Sequence, residues 1–309
     1  MPDLAARVAA AERAVFHGPP DSALPVLAEA AELATGENGS AAVAVLTWLR
    51  GVALGACGRY AEALSTLDAL LAGPAATARG RLALALAAAA SGSVHRQLGL
   101  HAEARTLDER GRAAVESLGP PATEALLDCL VGLAADAVGL DDATGAAAEI
   151  ARAEAVVAER EAATGWRPRC RLDWVRAETA LLTGDAAVAV AAASRALATA
   201  QDAEAPRHVA KSLLFLGVAQ STLGSAGSAA QAAATLRRAA TLAESLGTLP
   251  LVWPARAVLG ALVAGQDPGE SAASLDAARA AVRALADNLP VALRDPWLAR
   301  PDLSALLAG

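Results

Sequence analysis

The chain has 309 residues, of which 55% are hydrophobic but only 3% aromatic, and it carries a formal net charge of −7. Its apolar content is Ala, Leu and Val, with Ile150 the single isoleucine and Tyr60 the single tyrosine, so the composition suits helices and excludes a β-rich fold. The acidic balance, with Lys211 the only lysine, argues against a phosphate-binding surface and so against nucleic acid as a partner.

At the start of the chain Asp3, Arg7, Glu12 and Arg13 interrupt the first apolar stretch, so no secretory segment is expected. The cysteines, Cys57, Cys129 and Cys170, are too few and too scattered for a disulfide framework; a reducing, cytoplasmic setting fits them. Mean hydropathy is +0.37. The longest uncharged run, Ser212 to Leu236, nevertheless contains two glutamines, four serines and three glycines. That is an amphipathic pattern, and no membrane partner is expected.

Short breakers recur along the chain at Gly18, Gly58, Gly99, Gly139, Gly184, Gly224 and Asp267, spaced by 40, 41, 40, 45, 40 and 43 residues. Seven residues before each lies a small residue: Ala11, Gly51, Gly92, Gly132, Ala177, Gly217 and Gly260. A fixed period of this length is the mark of a repeat architecture. Each unit reads as a helix, a tight turn and an antiparallel second helix. In the second unit Leu46, Leu49, Val52 and Ala53 recur at helical spacing, Gly58 ends the helix, and Ala63, Leu64, Leu67, Leu70 and Leu71 form the stripe of the next. Gly51 and Ala63 are expected to let the two backbones approach closely.

Longer Gly and Pro breakers, among them Gly36 to Gly39, Gly73-Pro74 and Gly119-Pro120-Pro121, separate the units. The hairpins are expected at about residues 1–36, 40–75, 80–119, 122–164, 167–203, 207–247 and 250–287, followed by a terminal capping helix over about 296–307. The expected fold is therefore all-α: one right-handed α-solenoid of about seven antiparallel hairpins, elongated because stacked hairpins touch only their neighbours.

Gly51, Leu54, Gly58, Tyr60, Ala63 and Gly73-Pro74, repeated as Gly92, Gly99 and His101 to Ala104, resemble the tetratricopeptide repeat (TPR) signature. The period exceeds that family's usual 34 residues. The long unit is similar to the TPR-like arms of large bacterial regulators, and the tail Asp295 to Leu303 resembles the ends of such arms in actinobacterial-style regulators. The resemblance implies an interaction or sensing module. No phosphate-cradling Gly-x-x-x-x-Gly-Lys accompanies it.

Little in the sequence points to catalysis. His95 and His101 flank the third turn with no metal-ligand spacing and read as turn-exposed. Asp141-Asp142 reads as a helix cap, and Cys57 and Cys129 as core thiols. Arg167, Arg169 and Arg171 form the one cationic cluster; a solvated helix start is favoured over an anion site, with an acidic peptide left open. No catalytic residue, cofactor or metal is expected.

The first helices of the hairpins should line the concave side. Counting from the small residues places Trp48, Arg96, Asp136, Arg171, Trp174, Glu178 and Lys211 on this groove as the partner-binding set. An apolar floor with a few charges suits a peptide or protein partner. A small signalling ligand is the alternative, and the oligomeric state is open. Trp48 and Trp174 could serve as anchors or merely fill space between neighbouring helices.

Overall fold

The computed structural model describes residues 4–34 and 36–308. Among them the regular elements are sixteen α-helices and three single-turn 3-10 segments, with no strand. The helices pair as α1 (Leu4–His17) with α2 (Ala23–Leu33), α3 (Gly36–Cys57) with α4 (Tyr60–Leu71), and α5 (Ala78–Gln97) with α6 (His101–Val115). Next come α7 (Thr123–Gly139) with α8 (Ala143–Glu159), α9 (Trp166–Leu182) with α10 (Ala186–Asp202), α11 (Pro206–Ser221) with α12 (Ala226–Ser245), and α13 (Leu249–Val263) with α14 (Pro268–Asp287). The short α15 (Val291–Leu298) and α16 (Pro301–Ala308) end the chain. Two expectations are corrected. The terminal helix is two helices, broken ahead of Pro301 because a prolyl residue supplies no amide to carry α15 onward. The predicted breaker Gly36 to Gly39 is instead the first turn of α3.

One turn chemistry recurs. The N–H of Arg59 donates to the Leu54 carbonyl at 2.9 Å, that of Leu100 to His95 at 2.9 Å, that of Asp142 to Ala137 at 2.8 Å and that of Asp185 to Ala180 at 2.8 Å. This is the six-residue Schellman closure, and the residue before each donor must be left-handed. Gly58 (φ +81°) fills that position in the second hairpin, while in the fourth Asp141 (φ 59°) takes it, two residues beyond the predicted breaker Gly139. Asp tolerates this region because its short side chain bonds locally. Asp142 then caps α8, its carboxylate accepting from Gly145 N–H at 2.8 Å.

The small-residue register makes room for second-helix side chains and, at Gly92, Gly217 and Gly260, for second-helix backbone within 3.1 to 3.4 Å of the Cβ position. A Cβ on Gly51 would lie 2.6 Å from Leu67 Cγ, one on Gly217 2.6 Å from Leu236 Cγ, and one on Gly260 2.8 Å from Leu275 Cγ. These three hairpins are thus each pinned by a leucine seated on the bare flank of the partner helix, whereas Gly92 and Gly132 make room for Asp108.

The chain does not run out as an open, elongated superhelix. Val282, Leu285, Ala286 and Leu289 of the last hairpin share one buried cluster with Leu54, Tyr60, Ala63, Val94 and Leu98, joined by Trp297 and Leu303. Ala61 N–H donates to the Asn288 carbonyl at 3.0 Å, and α1 also touches α11. Trp297 Nε1 and Arg300 Nη1 both donate to the Gln97 carbonyl, at 3.4 and 3.2 Å. The array closes into a ring because the apolar flank of α14 packs onto the flank of α3–α5. The accessible surface of 13128 Å² is only about a tenth above the roughly 12,000 Å² expected of a globule of this mass. Closure, not extension, sets the shape.

Candidate functional site

The seven first helices face inward and surround one cavity of about 340 Å³. Its wall is Phe16 of α1, Trp48 and Val52 of α3, Arg96 of α5, Asp128 and Gly132 of α7, Arg171, Trp174 and Glu178 of α9, Arg207, His208 and Lys211 of α11, and Leu251 of α13.

At one side Arg96 donates to Asp108 of α6 and, at 3.1 Å, to Asp136 of α7. Both carboxylates are fully buried, so one guanidinium is shared by two acids. Burial raises the Asp108 carboxyl to about 7 against the pull of Arg96, and the Asp136 charge adds to the rise. Asp136 is raised as well, first by burial. For Arg96 burial is the largest influence and works downward, but the two acids outweigh it and its guanidinium is held above its ordinary value. Gly132 allows this arrangement. A Cβ there would meet Asp108 Oδ2 at 2.3 Å.

A second cluster centres on Asp128, which accepts from Arg167 Nη1 at 2.9 and 2.8 Å and from Arg171. Arg167 also reaches Glu124 at 3.3 Å, and its guanidinium lies 5.4 Å from the Phe16 ring and 5.8 Å from Trp48. Arg167 is therefore a buried strut and not a solvated helix start, because Asp128 and the aromatic faces replace its water.

The third cluster joins α9 to α11. Trp174 Nε1 donates to Ser212 Oγ at 2.8 Å, and the indole stacks on His208 at 5.3 Å with an 18° tilt. Trp166 meets His208 edge-on at 4.8 Å. The Lys211 ammonium sits 4.5 Å from the Trp174 ring centre and 5.5 Å from Phe215. Burial lowers Lys211 to about 8, with Glu178 opposing and Arg171 and Arg207 adding. Glu178 is raised by burial against the pull of Lys211. His208 is held well below its ordinary value by burial and by the surrounding cations, so it is neutral.

Of the seven residues read from the sequence, Trp48, Arg96, Arg171, Trp174, Glu178 and Lys211 line the cavity. Asp136 does not: it lies fully buried behind Arg96. The inner face of α7 is instead Asp128, Val131, Gly132 and Ala135, one residue earlier than the predicted register. Trp48 and Trp174 are 8% and 5% exposed; each is at once a wall residue and an inter-helix packing residue. His95 and His101 are half-buried rather than turn-exposed. His95 Nδ1 lies 2.9 Å from the Ser91 carbonyl, and the His101 ring packs against Gly139.

Sequence reasoning missed Asp128, Arg207 and His208. The signal was present in the period: Arg96 and Asp136 are 40 residues apart, and Asp128 lies 39 and 43 before Arg167 and Arg171. Opposite charges one repeat apart on first helices meet across the stack.

Burial keeps the thiols protonated, with Cys57 raised to about 11, Cys170 to about 12 and Cys129 well above its ordinary value. Among the described residues no group of His, Cys, Asp and Glu could hold a metal ion, and no helix is long and apolar enough to cross a membrane.

No family model matches the chain, and no curated protein matches it by sequence. Among solved structures, 99% of the chain is similar to 88% of a Rap protein complexed with competence and sporulation factor, at 12% identity and a TM-score of 0.66. The same share is similar to 82% of aspartyl phosphate phosphatase F from Bacillus subtilis, at 12% identity and a TM-score of 0.51. These likenesses establish the fold: an all-α, TPR-like helical-repeat solenoid.

Proposed function

We propose that the chain is a non-catalytic TPR-like receptor. It takes a short peptide, or an extended segment of a protein partner, into the central cavity and serves as the sensing arm of a cytoplasmic regulatory system, as its resemblance to bacterial regulator arms suggests. The observation that carries this reading is the convergence of all seven first helices on one cavity lined by aromatic side chains and by charges of both signs. Its volume, about 340 Å³, is at the lower end of ligand pockets of roughly 300–1,000 Å³. That leaves room for a few side chains and not for a folded domain. The similar Rap protein was crystallised with competence and sporulation factor, which agrees with a ligand-receiving role for this scaffold. A catalytic reading lacks support, since burial holds both histidines of the wall, His101 and His208, below the ordinary imidazole value and pushes the thiols up.

The test is retention by the immobilised full chain of two mixtures, random pentapeptides and a defined set of metabolites, with bound species read by mass spectrometry. A restricted set of peptides, lost on Lys211→Met, supports the reading. Selective retention of metabolites with no peptide overturns it.

A further inference from the structure

α11 turns three polar side chains, Arg207, His208 and Lys211, into the cavity, and among the described residues none of them has a hydrogen-bond or close ion-pair partner. Arg207 Nε and His208 Nδ1 are buried with no hydrogen-bond partner. Among the described residues neither Arg207 nor Lys211 has a carboxylate within 4.0 Å, the distance at which every other cavity cation is paired. Arg96 is answered by Asp108 and Asp136, and Arg167 and Arg171 by Asp128. Buried polar groups in folded proteins nearly always have partners, and three of the exceptions, Arg207 Nε, His208 Nδ1 and His101 Nδ1, belong to residues that line this one cavity.

The arrangement is costly as it stands. Arg207 and Lys211 are four residues apart on one helix and so face the same way, and like charges at that spacing repel. They also face Arg171 across the cavity. Burial, followed by Arg171 and Arg167, lowers the Arg207 guanidinium to about 10, and Lys211 is lowered to about 8 chiefly by burial. Glu178 is the one acid near Lys211, and the neighbouring cations offset its attraction. An incoming anion would relieve all of these at once.

We infer that α11 is a carboxylate subsite: Arg207 and Lys211 take an acidic side chain or the C-terminal carboxylate of the bound peptide, which lies beside Trp174. This rests on the peptide-receptor reading above and names the chemistry its ligand must carry. A guanidinium and an ammonium form charge-assisted hydrogen bonds with a carboxylate, stronger than those between neutral groups. The Trp174 and Phe215 faces hold the ammonium in place without neutralising it.

Lys211 is the only lysine of the chain, so a sample labelled at lysine ¹³Cε gives a single resonance that reports on the subsite. Three acetyl-capped pentapeptide pools are titrated against the full chain: one acid-free with free C-terminal carboxylates, one amidated with a single Asp or Glu, and one amidated and acid-free. We expect one or both carboxylate pools to shift this resonance, to raise the pH at which Lys211 titrates, and to be retained at least about tenfold over the acid-free amidated pool. Which pool succeeds identifies the source of the carboxylate. Arg207→Gln should abolish the preference and Arg207→Lys should keep most of it, with both variants melting as the wild type does. Equal retention of the acid-free amidated pool overturns the carboxylate subsite while leaving the receptor reading intact. If no pool is retained the receptor reading falls, and succinate decides the subsite alone: a saturable Lys211 shift, absent in Arg207→Gln, supports it, and no shift overturns it.

Discussion

Gly132 and Asp108 meet where α7 crosses α6: the glycine's bare Cα is what lets the buried carboxylate turn towards Arg96, since a Cβ would lie 2.3 Å from Oδ2. Gly132→Leu should therefore destabilise the chain by roughly 1–3 kcal/mol through overpacking. Gly227, on α12 with nothing within 4 Å of its Cβ position, is the matched control, and Gly227→Ala should be neutral or slightly stabilising. Gly145→Ala would be a poor control, because the new Cβ would press on the Asp142 cap at 2.2 Å. Denaturant titrations of Gly132→Leu and Gly227→Ala check the contrast.

The same carboxylate gives stability a pH slope. In the folded chain Asp108 titrates near 7, and its ordinary value is 3.8. Between these the folded state binds more protons than the unfolded one, so the Asp108 contribution is full below about pH 4 and is lost as pH rises through 7. Denaturant midpoints at pH 4.5 and 7.5 should show Asp108→Asn flattening that decline. An unchanged slope in the variant would show that the proton resides elsewhere.

Trp174→Ala should cost about 3–5 kcal/mol, the usual range for a buried large aromatic, and lower the melting midpoint by several degrees. It removes the stack on His208, the bond to Ser212 and the seat of Lys211 together. Trp174→Phe should fall between Trp174→Ala and wild type, because a ring remains but the indole donor is gone. Thermal melts of the two variants decide this, and Lys211→Met is the cleaner probe of binding.

Ring closure predicts a radius of gyration near the ~19 Å of a compact chain of this length. Trp297→Ala removes a buried link between the last helices and the Gln97 turn. It should enlarge the particle in solution scattering and increase binding of a dye that reports apolar surface. A wild-type chain already well above that radius would contradict the closed ring.

The helix-turn-helix repeat is legible in the sequence because the Schellman turns need a left-handed residue and the leucine seats need a bare flank, and both constraints recur with the period. Gly58 and Gly51 carry those signals openly. The fourth turn is harder to place, since Asp141 does glycine's work there. Most of the cavity wall follows from the same register, as Trp48, Arg171 and Lys211 illustrate. Asp136 escapes it because the inner face of α7 runs one residue earlier, through Asp128, Gly132 and Ala135, which leaves Asp136 buried against Arg96. Closure is invisible to periodicity: Leu285 and Leu54 share a cluster from distant parts of the chain, and no local pattern announces a partner so far away in sequence.

The seam between the last hairpin and α3–α5 changes how this array can come apart. An open stack frays from its ends, losing one unit at a time at modest cost. A hoop has no ends, so loosening any hairpin strains both of its flanks, and partial unfolding must begin by parting the seam at Tyr60, Leu285 and Trp297. The Gln97 carbonyl, which accepts from both Trp297 and Arg300, belongs to the helix that also presents Arg96 to the cavity. Parting the seam would therefore also disturb the cavity wall, so that retention of a ligand and resistance to proteolysis become two readings of one motion.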